Sequence, residues 1–186
     1  MNEKDPLDDL KSLRAGWKNR GVRRPDFALA PTQGQESVWD YPRPPALVPD
    51  PREVVVALAG IEIARSTRAI RVLETASPPT FYLPPQDVKM EFFHGASGSS
   101  FCEWKGQASY WDVTTPEASA PGLAWSYPEP FAASSALAGY FSFYPAMANC
   151  TVAGENVRAQ SGGFYGGWIT DEVVGPFKGD PGTGGW

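Results

Sequence analysis

Apolar and polar positions along the middle of the chain alternate in short bursts, the pattern of strands rather than long helices. Residues 53–59 (EVVVALA) are β-branched and apolar and predict a strand. Gly60 then supplies a turn, and residues 61–65 return, which makes a hairpin. Residues 69–74 (AIRVLE) alternate strictly, with Ile70, Val72 and Glu74 on one face and Arg71 and Leu73 on the other. Glu74 therefore shares a face with two apolar side chains. Such a carboxylate sits either at the wet end of its strand or in a pocket, and the residues alone favour the wet end.

Pro78 and Pro79 break the chain before a short strand at 80–83 that carries Phe81 and Tyr82. Residues 84–87 (PPQD) read as a turn capped by the Asp87 side chain. Residues 88–93 read as another strand, with His94 at its end as a surface group. The next stretch, 101–110 (FCEWKGQASY), lies between a Gly/Ser run at 95–100 and Trp111. Read as one strand, it turns Cys102, Trp104, Gly106, Ala108 and Tyr110 one way and Glu103, Lys105 and Gln107 the other. Gly106 beside Lys105 marks either a bulge or a close approach by ligand or backbone. Lys105 is thus a solvated cation on an amphipathic strand or a functional lysine, and Cys102 a small buried residue or a thiol. Further strands are predicted at 123–127, 140–144 and 147–153, with a loop at 114–122 and one or two helical turns at 131–137. The aromatic run at 140–144 (YFSFY) requires cover on both faces.

The ends differ in character from this body. Asp5-Pro6 ahead of Leu7, Leu10 and Leu13 predicts a short N-terminal helix, with Asp5 as cap and one narrow apolar stripe. Residues 25–51 are proline-rich and read as an extended strap over the body. From Gly154 the chain is rich in glycine with interleaved aromatics, and is read as a tail ordered by draping its rings on the body rather than forming a deep core. Phe177-Lys178-Gly179 echoes Trp104-Lys105-Gly106, which such a composition produces by coincidence. The organisation expected is an arm and the start of the strap at 1–38, an all-β domain at 39–150 and a draped tail at 151–186.

Composition narrows the function. The 186 residues suit one domain with appendages. A net charge of −5 argues against a nucleic-acid partner, which needs a basic surface. No run of about eighteen apolar residues exists to span a membrane, and the N-terminus has no apolar core of a signal peptide. Two cysteines, Cys102 and Cys150, are too few for a disulfide framework, so a reduced, cytoplasmic setting is expected. With His94 the sole histidine, no protein-only zinc site and no cofactor is expected.

Several pieces in order carry a resemblance. VVVALAG is followed by IARS, ETASPPTFYLPPQDV, C-x-W-K-G-x-A-x-Y-W, AWSYPEP and AGYFSFYP. This resembles the DUF427 family, sometimes labelled nucleotidyltransferase, over roughly residues 39–145; the tail resembles that of a longer form of the same family. The resemblance implies an Mss4-like, tent-shaped all-β body enclosing a cleft. Other domains of that shape hold zinc on two CxxC pairs, and this chain has none. The motif positions so implied are Glu74, Tyr82, Asp87, Cys102, Lys105, Gly106, Tyr110, Trp125 and Tyr127, and the family assigns none of them a catalytic role.

On chemistry, Lys105 and Glu74 are the candidate catalytic pair, with Tyr82, Asp87, Cys102, Tyr110, Trp125 and Tyr127 as candidate ligand-binding residues. Aromatic walls with a few placed polar groups suit an unidentified small molecule, whether turned over or only bound. A structural role, in which an exchanged tail pairs two chains as a homodimer, is the third expectation. Nucleotidyl transfer is not expected, because the chain lacks a phosphate-binding loop and the carboxylate pair that would hold metal.

Overall fold

The computed structural model describes the backbone from Pro6 and side chains from Asp9 onward. It is an all-β fold built on three antiparallel sheets, with one α-helix, Pro6–Ala15, among the described residues. No helix among them is long and apolar enough to cross a membrane. The Asp5 cap and the Leu7 side chain lie outside the described residues.

The principal strands are β1 (Ala46–Asp50), β2 (Val54–Leu58), β3 (Ile61–Ser66), β4 (Ala69–Leu73) and β5 (Thr80–Tyr82), followed by β6 (Phe93–Cys102), β7 (Gly106–Thr114), β8 (Ser119–Ser126), β9 (Phe141–Phe143) and β10 (Asn149–Val152). One sheet pairs β10 with β2 and β2 with β3. A second runs β9-β8-β7-β6, and a third β1-β4-β5. Leu83 joins the last two: its N–H donates to Phe141 O at 2.8 Å, and its carbonyl accepts from Phe141 N at 2.9 Å.

Local chemistry explains the elements. Val54, Val56 and Leu58 are buried while Val55 and Ala57 are half-buried, the period of two expected of a strand with one core face. Ala59 and Gly60 both have positive φ, 49° and 83°, which gives the two-residue turn whose twist suits a hairpin. The strap becomes a true strand at β1, where Pro49 is tolerated because β1 is an edge. The main core gathers Val54, Val56, Ile63, Phe81, Leu123 and Phe143 from the sheets.

Several expectations are corrected. The predicted strand at 88–93 is a 3-10 turn at Met90–Phe92, and β6 starts only at Phe93. The Gly/Ser run at 95–100 forms most of β6, and exposed His94 lies within that strand rather than at the end of an earlier one. The loop predicted before residue 123 is already strand from Ser119. The largest correction concerns 101–110, which is not one strand. Glu103, Trp104 and Lys105 form the tip of the β6–β7 hairpin, with Cys102 paired to Gly106 and Phe101 to Gln107. Gly106 has φ 101°, a conformation other residues rarely adopt, and this lets the chain reverse there.

The ends also depart from their reading. The N-terminal helix leaves Leu13 56% exposed and Leu10 half-buried. Its anchors are Arg14, whose Nε donates to Glu103 O at 2.7 Å, and Trp17, whose Nε1 donates to Glu103 Oε1 at 2.6 Å. The tail does reach the deep core. Trp168 is fully buried there, its indole N–H donating to Phe143 O at 3.0 Å. Ions fasten the tail as well: Arg52 bridges Asp50 at 2.6 Å and Glu172 at 2.7 Å, and Arg71 pairs with Glu36 and Glu172.

Two outcomes test this packing. Trp168→Ala removes a buried ring and its hydrogen bond and is expected to cost about 3–5 kcal/mol by denaturant melt; a loss within about 0.5 kcal/mol, the range of a surface site, would show that the tail is not part of the core. Burial alone would raise the Asp50 carboxyl, but its hydrogen bonds and charge contact with Arg52, with Arg71 behind, leave it below the usual value. Its stabilisation is therefore complete above about pH 4, where the unfolded carboxyl is ionised, and is lost as pH falls through the lowered native value. Asp50→Asn is expected to lower stability at neutral pH and to flatten the acid limb of the stability curve; an unchanged acid limb would contradict it.

Candidate functional site

The hairpin tip and the strand ends open on a cavity of about 340 Å³. The end of β4 supplies Val72 and, one residue beyond it, Glu74; β5 supplies Thr80 and Tyr82. Cys102 comes from the end of β6, Lys105 from the turn, Tyr110 from β7 and Trp125 from β8, with Tyr127 just past β8. The structure thus brings together seven of the eight candidate residues: Lys105, Glu74, Tyr82, Cys102, Tyr110, Trp125 and Tyr127. Asp87 lies elsewhere. Its carboxylate does not cap its turn but accepts from Ser66 Oγ and Arg68 Nη2, each at 2.6 Å, and it takes no part in lining the cavity.

The hairpin turn is what places the thiol and the amine on the same side. As one strand, Cys102 and Lys105 would face opposite ways; as a turn, they stand at its two ends and both line the cavity. The turn is held from below, where Phe131 N donates to Lys105 O at 3.1 Å and Ser134 Oγ donates to Trp104 O at 3.1 Å. Lys105 is 8% exposed, and its Nζ lies 5.8 Å from the Tyr127 ring centre. Among the described residues no carboxylate stands within ion-pair distance of it. Burial, the largest influence, disfavours its charge; Cys102, Tyr82 and Glu74 together outweigh burial and hold the ammonium above the usual lysine value. The amine therefore holds its proton more firmly than burial alone would allow.

Glu74 is already neutralised. Its Oε1 accepts from Arg43 Nε at 3.2 Å, and Arg43 is anchored in turn to Thr75 O at 2.8 Å. The Glu74 side chain keeps 20% exposure, so an oxygen of the pair is presented to the cavity as an acceptor.

The aromatic wall is cross-braced. Trp125 Nε1 donates to Tyr82 OH at 3.0 Å, with the two rings edge to face at 6.1 Å. Tyr110 OH donates to Ser100 Oγ at 2.7 Å, and the Trp125 and Tyr144 rings lie 4.6 Å apart. Burial raises the Tyr82, Tyr127 and Tyr144 phenols, which stay protonated at neutral pH and act as O–H donors.

Sequence reasoning missed the roof. The arm contributes Trp17, and the tail contributes Gln160, Phe164, Tyr165, Gly166 and Lys178. The glycines of the tail serve close contact: a methyl group at Gly166 would lie 2.2 Å from the Trp125 ring, and one at Gly167 would lie 2.2 Å from Gln160 Oε1. Gln160 uses that oxygen to accept from Gly167 N at 3.0 Å, while its amide donates to Lys178 O at 2.5 Å. Lys178 is 6% exposed. Its signal in the sequence is the repeated aromatic-Lys-Gly triplet. Both copies place the lysine on this cavity and follow it with a glycine of positive φ, 101° at Gly106 and 130° at Gly179.

Among the described residues no three His, Cys, Asp or Glu side chains cluster as a metal site. The cavity instead offers two amines, a thiol, phenol donors and a neutralised carboxylate around a ring-lined hollow. No curated protein matches the chain. The family model described as a domain of unknown function (DUF427) matches residues 46–154. That span holds the hairpin tip and the aromatic wall but not the roof, and by it the chain belongs to the DUF427 family.

Proposed function

We propose that this chain binds a small organic anion with a planar body, taking the anionic group at Lys105 and the body between the rings. One observation carries the reading: Lys105 is a buried ammonium with no carboxylate at ion-pair distance among the described residues, on the wall of an aromatic cavity. A buried charge with a thiol but no carboxylate beside it is costly, and an anionic ligand supplies a full counter-charge. Glu74, tied to Arg43, serves as an acceptor for a hydroxyl or amine of the ligand, and Tyr82, Tyr110 and Trp125 supply stacking surface. Cys102 beside Lys105 makes a catalytic role for the site the next step of the same reading. In this view the sheets are the walls of a tent of the Mss4-like kind, with the cavity at its mouth. The net charge of −5 makes a polymer of phosphates a poor match, so the anion is a small molecule.

The probe set is benzoate, benzamide and benzylamine, which share a ring and differ in charge. Benzoate is expected to raise the thermal midpoint and the other two to leave it nearly unchanged. Lys105→Met is expected to weaken benzoate binding at least about 100-fold, the scale of losing one partner of a buried charge pair. The same variant without ligand should melt no lower than the parent, since an unpaired buried charge has been replaced by an apolar chain of similar length. Equal shifts by benzoate and benzamide, or benzoate binding that survives in Lys105→Met, would contradict the proposal.

A further inference from the structure

Lys178 is the second buried amine of the cavity, and its surroundings differ from those of Lys105. Its backbone is pinned on both sides: Lys178 N donates to Ala76 O at 2.7 Å, and Lys178 O accepts from Gln160. Its Nζ lies 3.9 Å from the Trp17 ring centre and 5.5 Å from that of Tyr165. The Trp17 ring also carries the Arg43 guanidinium, 4.1 Å from its centre. A guanidinium does not give up its proton under ordinary conditions, so where two cations crowd one ring in a buried place the lysine is the group that yields. Among the described residues no carboxylate is at ion-pair distance of Lys178; Glu74 and Glu103 are nearby, but Glu74 is held by Arg43 and Glu103 accepts from Trp17.

We infer that Lys178 is a carbonyl-capturing amine, and that the cavity takes an organic acid that also carries an aldehyde or ketone, its carboxylate at Lys105 and its carbonyl at Lys178. This rests on the anion site proposed above and adds to it a substrate class and a nucleophile. The two aromatic-Lys-Gly triplets then divide the work. One amine holds the anion, and the other gives up its proton more readily and attacks.

Charge balance around Lys178 agrees with that division. Burial acts most strongly, Arg43 adds like-charge repulsion, and together they lower the amine below the usual lysine value against the opposing pull of Glu74 and Glu103. Tyr165, the phenol facing it, is itself raised by burial and stays neutral. Desolvation beside a second cation is a known means of freeing a lysine lone pair for Schiff-base chemistry. The step balances without a co-reactant. The neutral amine adds its lone pair to the carbonyl carbon, the C–O double bond opens to a carbinolamine, and both amine hydrogens leave with that oxygen as water, giving C=N. Nothing is oxidised or reduced.

The experiment treats the full chain with 4-carboxybenzaldehyde or with benzaldehyde, in the presence of cyanoborohydride to fix any imine as a secondary amine. The labelled lysines are then mapped by peptide mass spectrometry. The expected result at neutral pH is one adduct, at Lys178, forming at least about tenfold faster than at any exposed lysine and faster with the acid aldehyde than with benzaldehyde. Its rate should rise with pH earlier than labelling of the exposed lysines. Lys178→Arg, with folding checked by circular dichroism, should abolish the adduct, and Lys105→Met should abolish the preference for the acid aldehyde. The labelling map of the parent protein decides the matter even where a variant does not fold. No adduct at Lys178, or labelling spread over surface lysines, overturns the amine role, and does so without touching the anion site if benzoate still binds. Labelling at Lys178 that ignores the carboxylate overturns the substrate class and, with it, the role given to Lys105.

Discussion

An ammonium group out of bulk water, with rings rather than a carboxylate against it, is the feature on which the rest of this structure depends. Burying such a charge is unfavourable, and a fold that keeps it needs a rigid support and a use for it. The support is the hairpin tip: a three-residue reversal closed by Gly106, with the Lys105 carbonyl tied to Phe131 and the Trp104 carbonyl tied to Ser134. The sheet behind it fixes where the lysine can point, because Cys102 and Gly106 are paired in register on neighbouring strands. Tyr82, Cys102 and Trp125, near the ends of their strands, and Glu74, just past its own, line the same cavity as that tip.

The arm and the tail complete the site. Trp17 ties the arm to the tip through Glu103 and holds Arg43 and Lys178 against its ring. The tail passes over Trp125 at Gly166, enters the main core at Trp168 and returns to the cavity at Lys178. A small β body has little interior to spare for polar groups. Here the polar cavity lies between the body and the chain's own two ends, with Trp17 from the arm and Gln160 and Lys178 from the tail over it. The family match covers residues 46–154, which include the wall residues and not Trp17, Gln160 or Lys178.

Most wall residues were named through the motifs shared with the DUF427 family, and strand alternation alone favoured the wet end for Glu74. Strand alternation put Glu74 on the face of Val72, and both do line the cavity. The short β-branched and aromatic runs gave the sheets because their side chains suit a half-buried pleat. The hairpin tip was not legible. The period of two in 101–110 continues unbroken through a turn that only a positive φ at Gly106 reveals, and a periodicity cannot report the sign of a torsion angle. The roof was hidden for another reason. Glycine-rich segments have no periodicity of their own, and the contacts that order this one, such as Gly166 on Trp125, join residues far apart in sequence. Asp87 was misplaced because a turn residue near an aromatic motif reads the same whether it faces a cavity or, as here, Arg68 in the turn between β3 and β4.

The most direct measurement is a crystal structure of the protein grown with benzoate. The account predicts electron density for one benzoate in the ring-lined cavity, its carboxylate within about 3 Å of the Lys105 Nζ, as charge-assisted hydrogen bonds require, and its ring against Tyr82 or Trp125. Benzoate bound at another surface, or a Lys105 side chain turned out to solvent with the hollow closed, would contradict it.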